Sequence, residues 1–136
     1  MDHAEAITAI EALLPEVAAR GGDIEQQRAL PDDLVTGLKQ AGAFRLLIPG
    51  TFGGCETPFE DFIALIEKLA QADASTAWCV NQAAVIGTTS LWLPLHKIRE
   101  IWGPMDTAVA NGPPFACNIR PHADGFLLSG HWGFSS

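Results

Sequence analysis

The chain has 136 residues, 48% hydrophobic and 18% charged, enough for one domain with a real core and too apolar for a disordered chain. Eight basic against sixteen acidic residues leave a formal charge of −8, a surface that repels phosphate backbones and anionic membranes and so argues against a nucleic-acid role. The cysteines Cys55, Cys79 and Cys117 are odd in number and lack CxxC spacing, which argues against a disulfide framework or zinc site and for a reducing, cytoplasmic setting.

Asp2, Glu5, Glu11 and Glu16 interrupt the first twenty residues, so these cannot serve as a secretory signal. Ile7, Ile10, Leu14 and Val17 instead form a narrow stripe that predicts a helix from His3 to Arg20, ended by Gly21-Gly22. Asp23 to Leu30 reads as a polar connector. Pro31-Asp32-Asp33 opens a short helix carrying Leu34, Val35, Leu38 and Ala41, with Gly42 at its C-terminal cap. Phe44 to Ile48 is an apolar strap into a Gly-rich elbow, Pro49 to Gly54, whose Phe52 is expected to fold back on the core.

Thr57-Pro58-Phe59-Glu60 reads as a complete capping box. The helix after it carries Phe59, Phe62, Ile63, Leu65, Ile66 and Leu69 on one face. Asp73 is an N-cap candidate for a second helix, and Ser75 reads as a capping residue beside it. From Ala77 to Leu93 that second run is apolar almost all round, which predicts a central helix buried on most sides. Asn81, Gln82, Thr88, Thr89 and Ser90 interrupt it, no basic flank borders it, and Pro94 stops it, so a membrane span is not expected. Leu95 to Trp102 then predicts a short amphipathic helix.

After Gly103-Pro104 the pattern changes. Thr107 to Asn111 is β-compatible, and Gly112-Pro113-Pro114 is a rigid turn. Cys117 to His122 reads as a strand, Ala123-Asp124-Gly125 as a hairpin turn, Phe126 to Ser129 as the return strand, and Gly130 to Ser136 as a third. The fold class expected is mainly α: a helical N-terminal domain over 1–105, then the first strands of a β domain over 106–136. Two or three short strands are marginal alone, so the sequence reads as the first part of a longer protein.

Plain structural roles weigh against several candidate sites. Gly53-Gly54 lacks both Walker and GxGxxG spacing, so a tight turn is the simpler reading. His3, His96, His122 and His131 share no metal-ligand spacing, none adjoins a Ser or Cys nucleophile motif, and no metal site is predicted. Trp78 could be core packing, and Asn81 and Gln82 could simply bond to neighbouring backbone.

Gly42-Ala43-Phe44-Arg45, Ile48-Pro49, Phe52-Gly53-Gly54, Glu67 with Leu69-Ala70, and Asp73-Ala74-Ser75-Thr76-Ala77-Trp78 together resemble the N-terminal region of the acyl-CoA dehydrogenase superfamily. The ending Leu128 to Ser136 is similar to the flavin-dependent aromatic monooxygenase branch, of the hydroxyphenylacetate hydroxylase type, and lacks the Lys and Ile-Thr-Asn ending more usual in dehydrogenases. The resemblance implies a two-component monooxygenase. A partner flavin reductase supplies reduced FMN or FAD, and one oxygen atom of O₂ passes to a small aromatic substrate.

It further implies flavin contacts at Asn111, Gly112, Trp132, Phe134, Ser135 and Ser136, and a substrate pocket lined by Trp78, Asn81 and Gln82. Homo-oligomers, tetrameric in the complete enzyme, are implied too. The catalytic acid or base belongs to a C-terminal bundle outside this sequence and stays unassigned, and the chain alone is expected to be inert and to bind flavin weakly or not at all. Two alternatives stand beside this reading: an FAD-dependent acyl-CoA dehydrogenase, and a non-catalytic helical module that binds a partner or itself.

Overall fold

The computed structural model describes residues 1–133. Helices α1 (His3–Glu11), α2 (Leu14–Ala19), α3 (Gly21–Gln27), α4 (Asp32–Gln40), α5 (Phe59–Ala72), α6 (Ala74–Gly87) and α7 (Leu95–Trp102) precede a hairpin of β1 (Pro114–His122) and β2 (Gly125–Trp132). Short 3-10 turns lie at Ala43–Arg45, Gly50–Phe52 and Thr88–Trp92. The architecture is mainly α, as expected, and among the described residues no helix is long and apolar enough to cross a membrane.

The single helix expected from His3 to Arg20 is two. Pro15 sits in the first turn of α2, where its missing N–H is harmless, but its ring could not continue a helix from α1. The capping box lies here and not at residue 57: Asp2 Oδ1 accepts from Glu5 N at 2.9 Å, and Glu5 Oε2 accepts from Asp2 N at 3.1 Å. Gly21-Gly22 opens a helix where a stop was expected, and α3 occupies most of the supposed connector. Burial of Ile24 holds it against the core, and Arg20 clamps it from outside, with Nε to Asp23 at 3.0 Å and Nη1 to Asp33 at 2.8 Å.

α5 and α6 form the centre. Phe62, Leu65 and Leu69 of α5 meet Ala77, Val80, Ala83 and Ala84 of α6, with Ile10, Val17, Leu34, Leu38 and Leu46 closing the core from α1, α2, α4 and the strap. Each large aliphatic buried this way contributes about 1.5–3 kcal/mol. α5 starts at Phe59 without a side-chain cap. Thr57 is instead tied into the strap, its N–H donating to Leu46 O at 2.8 Å, and its hydroxyl is buried without a partner. Asp73 does cap α6, accepting from Thr76 N at 2.6 Å and from Thr76 Oγ1 at 2.8 Å, whereas Ser75 is exposed.

The expectation that α6 is buried on most sides is corrected. Its small-residue face packs inward, but Trp78 is 54% exposed, and beyond the helix Leu91 and Trp92 are 66% and 87% exposed. No element among the described residues covers that side. Likewise Phe59 and Ile63 of α5 lie outside the core. α7 has the expected bounds and buries Ile98 and Trp102 against Ile48, with Phe52 packed on them as anticipated.

In the hairpin, β1 and β2 pair antiparallel from Pro114 opposite Trp132 to His122 opposite Gly125. β2 runs through Gly130 without a break, so no separate third strand begins there. Gly130 pairs with Cys117, and a Cβ on it would lie 2.6 Å from Ala116 O, a close approach that only glycine allows. Every side chain from Phe115 to Trp132 is exposed.

Candidate functional site

Register brings together residues that lie about twenty positions apart in sequence. Asn111 and Gly112 lead directly into β1, and Trp132 stands opposite Pro114 at the same end of the hairpin. Gly133 N donates to Pro113 O at 3.3 Å and closes that end. Asn111 and Trp132 are both exposed. The three predicted flavin contacts among the described residues thus share one end of a two-stranded ribbon, while Phe134, Ser135 and Ser136 lie outside the described residues. A ribbon of two strands has backbone N–H and C=O groups on its outer edges without a cross-strand partner. An exposed indole, a side-chain amide and such edges suit a flat heteroaromatic group with donors and acceptors around its rim. His131 takes a different position, edge-on to Phe115 with ring centroids 5.7 Å apart.

Trp78, Asn81 and Gln82 occupy positions i, i+3 and i+4 of α6, so they share one face. That face is the uncovered one: Trp78 is exposed, and the two amides are half-buried. The hairpin buries none of its described side chains from Phe115 onward, so no packed layer joins these three residues to the Asn111–Trp132 end.

The elbow leaves no room for a phosphate. Gly53 N and Gly54 N already donate to Gly50 O at 3.0 Å and to Pro49 O at 3.1 Å, and a Cβ on Gly54 would collide with the Ile48 carbonyl. Gly53-Gly54 is a tight turn.

The most heavily bonded polar side chain among the described residues, Arg45, has a role the sequence did not reveal. It is only 3% exposed. Its Nε donates to Gly53 O at 2.9 Å, Nη2 to Phe52 O at 2.9 Å and Trp102 O at 2.8 Å, and Nη1 to Pro104 O at 3.3 Å. The elbow and the end of α7 are therefore joined through one guanidinium. Its partners are backbone carbonyls, which have no residue signature, so only the Gly-Ala-Phe-Arg run could have drawn attention to it.

Neither of the two sheltered thiols is an activated nucleophile. Burial pushes the Cys55 thiol up, and burial together with Asp73 does the same for Cys79, the reverse of what thiolate chemistry needs. Among the described residues no group of three His, Cys, Asp or Glu could hold a metal ion.

The family model for the acyl-CoA dehydrogenase N-terminal domain matches residues 3–93. Indole-3-acetate monooxygenase of Pseudomonas putida is 38% identical over 94% of this chain and 33% of its own length. The oxygenase component of p-hydroxyphenylacetate 3-hydroxylase of Acinetobacter baumannii is 32% identical over 93% and 30%. The HsaA flavin-dependent monooxygenase of Mycobacterium tuberculosis has a crystal structure that superposes with a TM-score of 0.89, at 28% identity, over 100% of this chain and 36% of that one. The chain spans about a third of the length of the curated relatives it matches.

Proposed function

The chain belongs to the acyl-CoA dehydrogenase family through its N-terminal domain, and on that premise we propose that it is the N-terminal portion of a two-component flavin-dependent monooxygenase that hydroxylates a small aromatic substrate. One observation carries the reading: over nearly all of its length the chain matches monooxygenases, two of them by name oxygenase parts of flavin-dependent or hydroxylase systems. A separate reductase supplying reduced flavin is inferred from the word "component" in one of those names.

The bound reduced flavin, FMN or FAD, supplies the activation of oxygen and its transfer to the ring. The protein's part is to bind, orient and exclude water. Trp132 offers an aromatic face, Asn111 an amide, and Gly112 a backbone that a planar group can approach closely, with Phe134, Ser135 and Ser136 continuing the set. Trp78 packs on the substrate ring, and Asn81 and Gln82 hydrogen-bond its polar substituents without adding charge. The domain boundary is proposed near residue 105, where α7 gives way to the segment leading to the hairpin. The uncovered apolar face of α6 supports a homo-oligomer, and the unpaired thiols support a cytoplasmic location.

The test is an anaerobic titration with reduced and oxidised FMN and FAD followed by flavin fluorescence. Weak binding at most is expected of this chain alone, and micromolar preference for a reduced flavin, weakened by Trp132→Ala, would support the monooxygenase reading. Preference for oxidised FAD would favour a dehydrogenase, and a folded oligomer without flavin affinity would favour a helical binding module.

A further inference from the structure

Between the elbow and α7 lies a pocket of about 230 Å³, open to solvent on one side and lined by Thr51, Phe52, Leu95, Ile98, Arg99 and Gly103. It shares no residue with the flavin and substrate sets proposed above. Drug-sized ligands occupy about 300–1,000 Å³, so it is too small for a flavin. A site of about 150 Å³ takes benzene, which leaves room here for one ring and a small substituent.

The cavity's walls are fixed by the buried chemistry behind them. Arg45 holds Phe52 O and Trp102 O with the same nitrogen, at 2.9 and 2.8 Å, and Gly53 O and Pro104 O with its other two. Ile98 and Trp102 are buried on Ile48, with Phe52 against them. The opening between elbow and helix is therefore held in place with no ligand present, which lowers the ordering cost of binding.

Its chemistry is asymmetric. Phe52, Leu95 and Ile98 make an apolar lining, Thr51 adds a hydroxyl, and Arg99 is the one charged group on the wall. Among the described residues no carboxylate pairs with Arg99, although Lys97 and Glu100 on the same helix pair with each other at 2.7 Å. In a chain with twice as many acidic as basic residues, such a cation is left open. The elbow's Gly50 N–H is not available to an anion, since it donates to Glu56 Oε2 at 2.7 Å. Arg99 is thus the one cation on this wall, and a guanidinium matches the planar fork of a carboxylate.

We propose that this cavity binds a small aromatic monocarboxylate, with its ring on Phe52, Leu95 and Ile98 and its carboxylate on Arg99. The site is separate from the flavin reading and stands whether or not the chain binds flavin.

The experiment is a titration of the chain with benzoate, followed by backbone amide NMR shifts, with benzyl alcohol and inorganic phosphate as comparison probes. Millimolar benzoate is expected to move the amides of Thr51, Phe52, Leu95, Ile98, Arg99 and Gly103. Loss of one charge-assisted contact should weaken binding about tenfold in Arg99→Gln, and benzyl alcohol should bind weaker than benzoate by a similar factor. Leu95 is half-exposed, so Leu95→Gln keeps the fold while weakening the ring contact several-fold. Absence of shifts at these six residues would overturn the proposal. So would equal binding of benzyl alcohol and benzoate, unchanged affinity in Arg99→Gln, or equal shifts from phosphate.

Discussion

A guanidinium buried without a carboxylate must find its compensation elsewhere, and Arg45 finds it in four carbonyl oxygens. Burial pushes its pKa down from the ordinary arginine value, but an arginine remains charged. Removing it strands those carbonyls and separates the elbow from α7, so Arg45→Met should destabilise the fold by about 3 kcal/mol or more. The urea midpoint measures this. Arg45→Lys should recover part of the loss, because an ammonium keeps the charge but cannot span all four acceptors. A midpoint unchanged in Arg45→Met would mean that water replaces the network at no cost. Cys55 gives a second test at this scale. Its thiol is raised mainly by burial, which outweighs the opposing pull of the N-terminal ammonium and Arg45. A raised thiol contributes stability that is fully present below the unfolded-state value, about pH 8.5, and is lost as pH rises toward the folded value, because only the unfolded chain then ionises. Stability should therefore fall across this alkaline window, and the fall should be shallower in Cys55→Ala; parallel pH profiles for the two proteins would refute the assignment.

Among the elements, the elbow is the least tolerant of change. Gly54 lies against the Ile48 carbonyl, and its N–H is bonded to Pro49 O. A methyl group there meets backbone, which cannot rotate away, so Gly54→Ala should cost about 1–3 kcal/mol as for other overpacked sites. Gly22→Ala, where a Cβ meets nothing within 4 Å, should be neutral or slightly stabilising within a helix by about 0.5–1 kcal/mol. Thermal unfolding of the pair separates the two, and equal effects would mean that the elbow relaxes freely. The contrast also marks what was legible in the sequence. α7 was legible because Leu95, Ile98, Ile101 and Trp102 repeat at helical spacing between Pro94 and Gly103, and Gly42 because a left-handed φ of 78° past α4 favours glycine. α3 was not, since two glycines are poor helix formers and only the distant burial of Ile24 overrides them. The candidate site follows the same division. Asn111 and Trp132 were named through a family resemblance, and their proximity depends on strand register, a long-range pairing that no local spacing encodes.

For the whole molecule, charge and apolar exposure act against each other. Trp78, Val85, Leu91 and Trp92 form an uncovered stretch along α6 and the turn after it, and the hairpin exposes Ile119, Phe126 and Leu128 as well. Apolar surface of this extent favours association, whereas a net charge of −8 on each copy opposes it. The balance should shift with ionic strength: salt shortens the range of the repulsion to about 8 Å at physiological strength, and a kosmotropic salt such as ammonium sulfate also strengthens apolar contact. Light scattering should therefore show a mass that climbs above 14.5 kDa with concentration, and climbs further when salt is added. A Trp78→Lys, Trp92→Lys double variant, both positions already exposed and outside the core, should stay at the monomer mass under the same conditions while keeping its helical circular dichroism. If the variant associates as the parent does, the hairpin edge becomes the contact, since unpaired strands can add to a second copy without using α6. If association weakens as salt rises, charge complementarity drives it, and the apolar face of α6 is not the surface that the assembled protein buries.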